Sequence, residues 1–417
     1  MDPIVSTLFV GIDVSQAEHV VCTMTQDGTV QARLRVPNHQ TGIDQLIDWL
    51  AIQAEAFTHL AVGLESTSVY HWPLFEALAQ ATALQRWHPQ WFLLNPSIVQ
   101  GFRKTYVERA KTDPGDAFLV ADAIRFGRLR PAPAPDPRYT ALQVVTRHRF
   151  RLAQTVSREK NRALNEVFCL WGGYRAVSKD PDQPFFSDVF GQASQHVLTQ
   201  YTPDRLAQTP LATVAQEIAD IGGAMLKAPD DIAHSLQRLA QKAFRLRPKE
   251  SQARQLSLII HLDTIRNLER QIRQIDKAMA RDLLAIPQTV TSVPGIGPVY
   301  GAGMVAEIGP IARFSSDDAL AKYAGLTWRT HQSGPFDAED RPLTRSGNTY
   351  LRYYLIEAAD RVRVRDPEFE AFYLRKYSEA THHPHKRALV LTARKLTGVI
   401  FGLLTRGQLY DGRKFGS

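Results

Sequence analysis

Seven residues, Pro131-Ala-Pro-Ala-Pro-Asp-Pro137, constrain this chain more than any other stretch. Prolines at every second position fix φ and remove backbone donors, so no helix interior runs through them. The segment is extended and fairly stiff, and it reads as a domain boundary. Different patterns lie on its two sides. Before it come short apolar runs ending in acids; after it comes helical periodicity. A chain of 417 residues has room for two or three domains.

The N-terminal side reads as α/β. Residues 7–14 (TLFVGIDV) form a buried strand ending in Asp13. Residues 19–25 and 29–36 flank Asp27-Gly28, a pair that supplies the positive φ of a hairpin turn. Residues 41–55 are helical, with Ile43, Leu46, Ile47 and Leu50 on one face. A strand over 59–64 leads to Glu65, a helix covers 69–80, and 91–94 is a strand stopped by Asn95-Pro96. A helix over 113–127 turns Ala117, Val120, Ala121 and Ile124 inward. The order predicts helices around one mixed sheet.

Beyond the prolines, residues 140–170 and 251–284 predict two long helices. The second carries Leu258, Leu262, Ile265, Leu268, Ile272, Ile275 and Met279 in steps of four and three. That is a coiled-coil-like stripe, buried by the other long helix, by a second chain, or as an ordinary amphipathic face. Residues 171–250 are weakly informative. Pro287 opens a last region of short helices over 293–313, 317–325, 348–365, 367–380 and 385–407, with a polar stretch over 326–347. The predicted domains are 1–130, 138–286 and 287–417.

Charge sharpens the picture. The chain carries a net charge of +8, and residues 341–417 hold 15 Lys+Arg against 7 Asp+Glu, so the surplus sits in the tail. A locally basic region suits a polyphosphate partner or is simply a solvated face. The helix bearing Arg147, Arg149, Arg151, Arg158, Lys160 and Arg162 poses the same choice. Cys22 and Cys169 form no metal-binding pair. His382, His383 and His385 lack the companions of a zinc site. No uninterrupted apolar run reaches the roughly 18 residues of a membrane span, and the N-terminus lacks the pattern of a signal peptide. An intracellular, cytoplasmic protein without membrane partners is expected.

Asp13 and Glu65 end strands, and Asp113 and Asp116 open a helix on a shared face. Clustered carboxylates repel unless a cation neutralises them. Oxygen donors favour Mg²⁺ or Mn²⁺. Taken singly, Asp113 before Pro114 also fits an ordinary helix cap. Residues 293–309 (VPGIGPVYGAGMVAEIG) place Gly295 and Gly297 between apolar helical segments, as in a helix-hairpin-helix turn that offers backbone N–H groups to phosphate; a tight packing turn uses the same glycines. The polar stretch holds Arg329, Ser333-Gly334, Arg345-Ser346-Gly347-Asn348 and then Arg352. Arginines of this kind bind phosphate bidentately or lie on the surface. Composition alone makes Ser333-Gly334 only a turn.

These residues resemble the DEDD-type insertion-sequence transposases, serine recombinases guided by a bridge RNA. The N-terminal likeness runs through GIDVS, GLEST and RAKTDPGDA; the C-terminal likeness runs through SVPGIGP, YAGL, QSG and RSGN with the following Leu-Arg. The resemblance implies a ribonuclease H-like, Holliday-junction-resolvase-like domain whose Asp13, Glu65, Asp113 and Asp116 bind Mg²⁺, with Mn²⁺ as a substitute. It implies a coiled-coil linker that helps form a dimer or tetramer, and an α-rich C-terminal domain whose serine attacks DNA. The serine maps to Ser333; this chain has Gln332-Ser333 where the family often has two serines, and Ser315, Ser316 and Ser346 are fallbacks. Donor and target duplex DNA and a guide RNA are the implied partners, and Gly295, Gly297, Arg329, Arg345, Arg352, Arg147 and Arg151 are candidate contacts to them. Two other classes remain: a metal-dependent, structure-specific nuclease using water, and a non-catalytic nucleic-acid scaffold.

Overall fold

Strand β1 (Thr7–Val14) is the middle of a five-stranded sheet in the order β3-β2-β1-β4-β5. β2 (Glu18–Met24) and β3 (Val30–Pro37) pair antiparallel beside it, while β4 (His59–Glu65) and β5 (Gln90–Leu94) run parallel to it. The structure, a computed structural model, describes residues 6–66, 69–106, 113–172, 186, 188–223, 226–328, 332–333, 336–337, 343–344 and 346–412. Side chains of 113, 114, 332, 333, 336 and 337 lie outside that description. The chain divides into two units, Met1–Pro137 and Arg138–Ser417.

In the first unit, alternation along the strands sorts the sheet into two faces. Leu8, Val10, Ile12, Leu60, Val62 and Leu64 pack with Leu46 and Leu50 of helix α1 (Gln40–Gln53) and Leu74 and Leu78 of α2 (His71–Gln80). The opposite face, with Cys22, Ala61 and Phe92, receives α4 (Asp113–Arg125) through Ala117, Val120, Ala121 and Ile124. Each fully buried aliphatic side chain contributes about 1.5–3 kcal/mol. The mixed sheet and the inward residues of α1 and α4 match the sequence expectation. Gly28, at φ +90°, closes the β2–β3 turn, and its N–H donates to the Thr25 carbonyl. Helix α3 (Pro96–Arg103) was not expected: Asn95-Pro96 stops β5 and also caps the next helix, the Asn95 side chain accepting from Ser97 N–H.

In the second unit, α5 (Pro137–Trp171) and α10 (Pro248–Leu283) lie antiparallel. Arg149 bonds Asp276 at 2.5 Å, Lys160 meets Glu269 at 2.8 Å, and His261 meets Glu159 at 2.8 Å. Leu258, Leu262, Ile265 and Met279 of the α10 stripe are buried within the chain, while Leu268, Ile272 and Ile275 are half-buried. One end joins a core with α6 (Gln192–Gln200), α7 (Pro203–Gln208), α8 (Leu211–Gly222) and α9 (Pro229–Lys242), helices that fill the stretch the sequence left unassigned. The other end, with Met279 and Leu283, joins a second core. That core is built from α11 (Pro298–Ile308), α12 (Asp317–Ala324), α13 (Thr349–Val362), α14 (Pro367–Ser378) and α15 (Pro384–Arg406). By length and mean hydropathy α15 is apolar enough to cross a membrane. Arg394 and Lys395 interrupt it, and Thr392, Leu396, Ile400 and Leu403 bury its inner face as a core helix.

Candidate active site and nucleic-acid interface

Two glycines set the geometry of the acidic edge. A Cβ on Gly11 would lie 2.1 Å from the Ala117 carbonyl oxygen and 2.3 Å from Ala121 N, so the α4 backbone rests directly on β1 there. A Cβ on Gly63 would lie 2.9 Å from Val120 Cγ1. Side chains two apart on a strand share a face. Asp13 and Glu65 therefore project from the same face as Gly11 and Gly63, the α4 face. Their strands are adjacent and parallel, with Ile12 level with Leu64. Both acids are half-buried. Asp116 lies in the first turn of α4, one residue before the carbonyl that touches Gly11.

The Asp116 carboxylate accepts a hydrogen bond from Arg103, at the end of α3. Arg103 Nε is buried without a hydrogen-bond partner among the described residues. A cation thus already stands on one of the four sequence-predicted acids. Among the described residues no three Asp, Glu, His or Cys side chains converge as a metal cage. Asp113 opens α4 by its backbone, and its side chain lies outside the description. Sequence reasoning missed Arg103; α3 had to be placed before it had a neighbour.

The serine-bearing stretch is shaped from its base. Ser333 pairs with Phe336 where two-residue strands, β6 (Gln332–Ser333) and β7 (Phe336–Asp337), run antiparallel. Below it, Trp328 bridges Leu343, and Thr344 N–H donates to the Thr327 carbonyl at 2.8 Å. Asn348 closes the base. Its N–H donates to the Tyr323 carbonyl at 2.6 Å, and its Oδ1 caps α13 by accepting from Leu351 N–H at 2.9 Å. Its Nδ2 donates to Glu307 Oε2 at 2.7 Å and to Tyr323 Oη at 3.0 Å. Glu307 is fully buried and holds Arg147 through two bonds of 2.6 and 2.8 Å. A buried carboxylate without such partners would be strongly destabilising. Burial opposes the Arg147 charge, but the bond to Glu307 leaves its pKa above the ordinary value. The pattern holds a clue to Asn348, an N-cap residue before a helical run, but none to Glu307, which reads as one polar position in an apolar helix.

The hairpin before α11 leaves a hollow of about 340 Å³, lined by Gly295, Gly297, Tyr300, Arg149, Arg361 and Arg365 among others. Gly295, at φ +98°, has no room for a Cβ, which would lie 2.8 Å from the Arg361 carbonyl. Gly297 caps α11 and faces open space, where backbone N–H groups are accessible. The other candidate contacts separate. Arg151 is exposed on α5. Arg352 donates to the Ala324 carbonyl and to Thr349 Oγ1 at 3.3 Å each. Arg147 faces Glu307. Arg329 and Arg345 lie outside the described residues.

Comparison with known proteins follows the same two stretches. A DEDD-type IS110 transposase model matches residues 10–168, and the model of the transposase IS116/IS110/IS902 family matches residues 288–374. The chain is 27% identical over 339 residues to the mini-circle putative transposase for IS117 of Streptomyces coelicolor, covering 79% of this chain and 78% of that one. It is 26% identical to an uncharacterized 44.8 kDa protein of insertion element IS116 from Streptomyces clavuligerus, over 97% and 96% of the two chains. It is 22% identical to the pilin gene-inverting protein of Moraxella lacunata, over 98% and 99%.

Proposed function

The chain belongs to the IS110/IS116/IS902 family of insertion-sequence transposases, enzymes that act on DNA, and from that premise we propose that it cuts and rejoins DNA through a phosphoserine intermediate, guided by a bridge RNA. The observation that carries the reading is the pair of Gly-x-acid strand ends, Gly11-x-Asp13 and Gly63-x-Glu65, side by side under α4 with Asp116 in its first turn. The strand order, with two antiparallel and two parallel pairings, supports a ribonuclease H-like domain.

The donor set is all carboxylate, which suits a hard divalent cation. Asp13, Glu65, Asp113 and Asp116 would hold Mg²⁺ or Mn²⁺, which when bound supplies positive charge to a scissile phosphate. Arg103 would release Asp116 to that cation. Ser333 Oγ forms the new bond to phosphorus, and the deoxyribose oxygen leaves and takes a proton. One P–O ester replaces another, so a strand can be rejoined without an outside energy source. Gly295, Gly297, Arg361 and Arg365 offer backbone and guanidinium donors to phosphate, and Arg329, Arg345 and Arg352 flank the serine in sequence. Sequence choice rests on base pairing with the guide. Assembly as a dimer or tetramer would let the acids of one copy serve the serine of another. A relative named for inverting a pilin gene favours rejoining over simple hydrolysis.

The test is an incubation of the protein with its element's RNA, donor and target DNA and Mg²⁺, followed by denaturation. A protein–DNA adduct that disappears in Ser333→Ala is expected. Cleavage without an adduct in either protein would replace the proposal with a hydrolytic nuclease.

A further inference from the structure

Besides Arg151, Arg158 and Arg162, which are exposed on α5, the long-helix pair carries a row of exposed cations on α10 that no motif singled out. Three cations of α5 are spent inside the unit: Arg147 on Glu307, Arg149 on Asp276, and Lys160 on Glu269. Glu269 and Asp276 belong to α10, so these bridges turn its acids toward α5. The neighbouring arc of α10 carries Arg266, Arg270, Arg273, Lys277 and Arg281, all exposed. Steps of four, three, four and four place them within about 80° of the helix circumference over about 22 Å. The ends of this row have acids, Asp263 on Arg266 and Asp282 on Arg281. At its centre, Arg270 meets only the neutral side chain of Asn267, and Arg273 and Lys277 have no ion pair among the described residues.

Beside the row, α6 and α10 enclose a groove of about 1030 Å³. Its wall is mixed: Gln195, Thr199 and Asn267 give amide and hydroxyl groups, Arg266, Arg270 and Arg273 bring cations that outnumber the carboxylates of Asp263 and Glu269, and a few apolar side chains complete it. We infer that this face of α10, with the groove at its edge, binds the phosphodiester backbone of a nucleic acid; the inference rests on the reading of the protein as a nucleic-acid enzyme. The cations neutralise phosphates and release counterions, and the polar side chains bond sugar and phosphate oxygens without reading bases. A second copy of the same face would set cations against cations, so the row is unsuited to self-pairing.

The triple variant Arg270→Ala, Arg273→Ala, Lys277→Ala tests this in the full-length chain. Alanine favours helix, so α10 remains folded, and circular dichroism checks it. Binding to a fluorescent DNA duplex and to an RNA hairpin is measured across a salt series. The expected result is a salt slope shallower by about 2–3 and affinity lower by about tenfold or more at physiological salt. Loss on the hairpin alone identifies RNA as the occupant; loss on the duplex alone identifies DNA. Unchanged slopes on both probes overturn the inference. So does a changed molar mass by light scattering with unchanged slopes, which would give the face to a second copy. Formation of the Ser333-dependent adduct by wild-type protein is scored separately. A shallower slope without any wild-type adduct would retain this surface and remove the serine mechanism.

Discussion

In the first unit, Asp13 and Glu65 stand at the ends of long neighbouring strands whose register is fixed by ladder bonds and by α4 resting on Gly11. In the second, Ser333 stands on a two-residue strand whose base is held by Asn348, Tyr323 and Glu307. One set of residues is placed by regular backbone, the other by buried polar side chains arriving from distant parts of the chain. The difference teaches where each is vulnerable. A strand end tolerates loss of its acid as a structure and loses only chemistry. A loop held by a buried carboxylate loses shape and chemistry together.

Asp13→Asn has the largest expected effect on activity. On the proposed mechanism it removes several kcal/mol of transition-state stabilisation, about 10²–10³ in cleavage rate, with an unchanged unfolding midpoint. Cleavage at the wild-type rate would take Asp13 out of the reaction. Glu307→Ala breaks the comparison from the other side. It leaves Arg147 and Asn348 without their buried acceptor, and stability falls by about 3 kcal/mol in urea denaturation, with loss of the Ser333 adduct. Wild-type stability would show that the bridge does not hold the loop. Asn348→Ala keeps the ion pair and the backbone bond to the Tyr323 carbonyl but removes the α13 cap and the side-chain bonds to Tyr323 Oη and Glu307, costing about 1–2 kcal/mol. Hydrogen exchange sharpens the contrast: the Thr344 amide exchanges faster, and those of β1 do not change.

The smallest effect concerns His19 on β2, fully buried, with Asn38 as the polar side chain beside it. Burial holds its pKa below the ordinary 6.5. The unfolded chain therefore takes up the proton first as pH falls. Stability is level above pH 6.5 and declines below it, by at most about 1.4 kcal/mol per pH unit. His19→Gln flattens that decline in acid-titrated thermal melts; an unaltered profile would assign the acid sensitivity to other groups.

Much of the first unit was legible because each signal is local. Short apolar runs gave β1 and β4, Asp27-Gly28 gave the turn, and steps of three and four gave α1 and α4. The acids of the candidate site could be named for the same reason. Arg103 could not, because its partner Asp116 is reached only when α3 folds back beside α4. In the second unit the stripe on α10 was visible, but not whether a helix of the same chain or of another covers it. The four helices between Gln192 and Lys242 are short, and two of them open on proline, so their periodicity is brief.

Sequence by itself determined the five strands and the longer helices, where the chain changes architecture, and which acids end strands, since backbone preference and periodicity act over a few residues. Tertiary structure alone decided which charges are spent and which are free. Arg147, Arg149 and Lys160 looked like a basic face until Glu307, Asp276 and Glu269 met them from more than a hundred residues away. An ion pair depends on distance in space, and the one-dimensional pattern of a helix carries no information about which acid its neighbour will present.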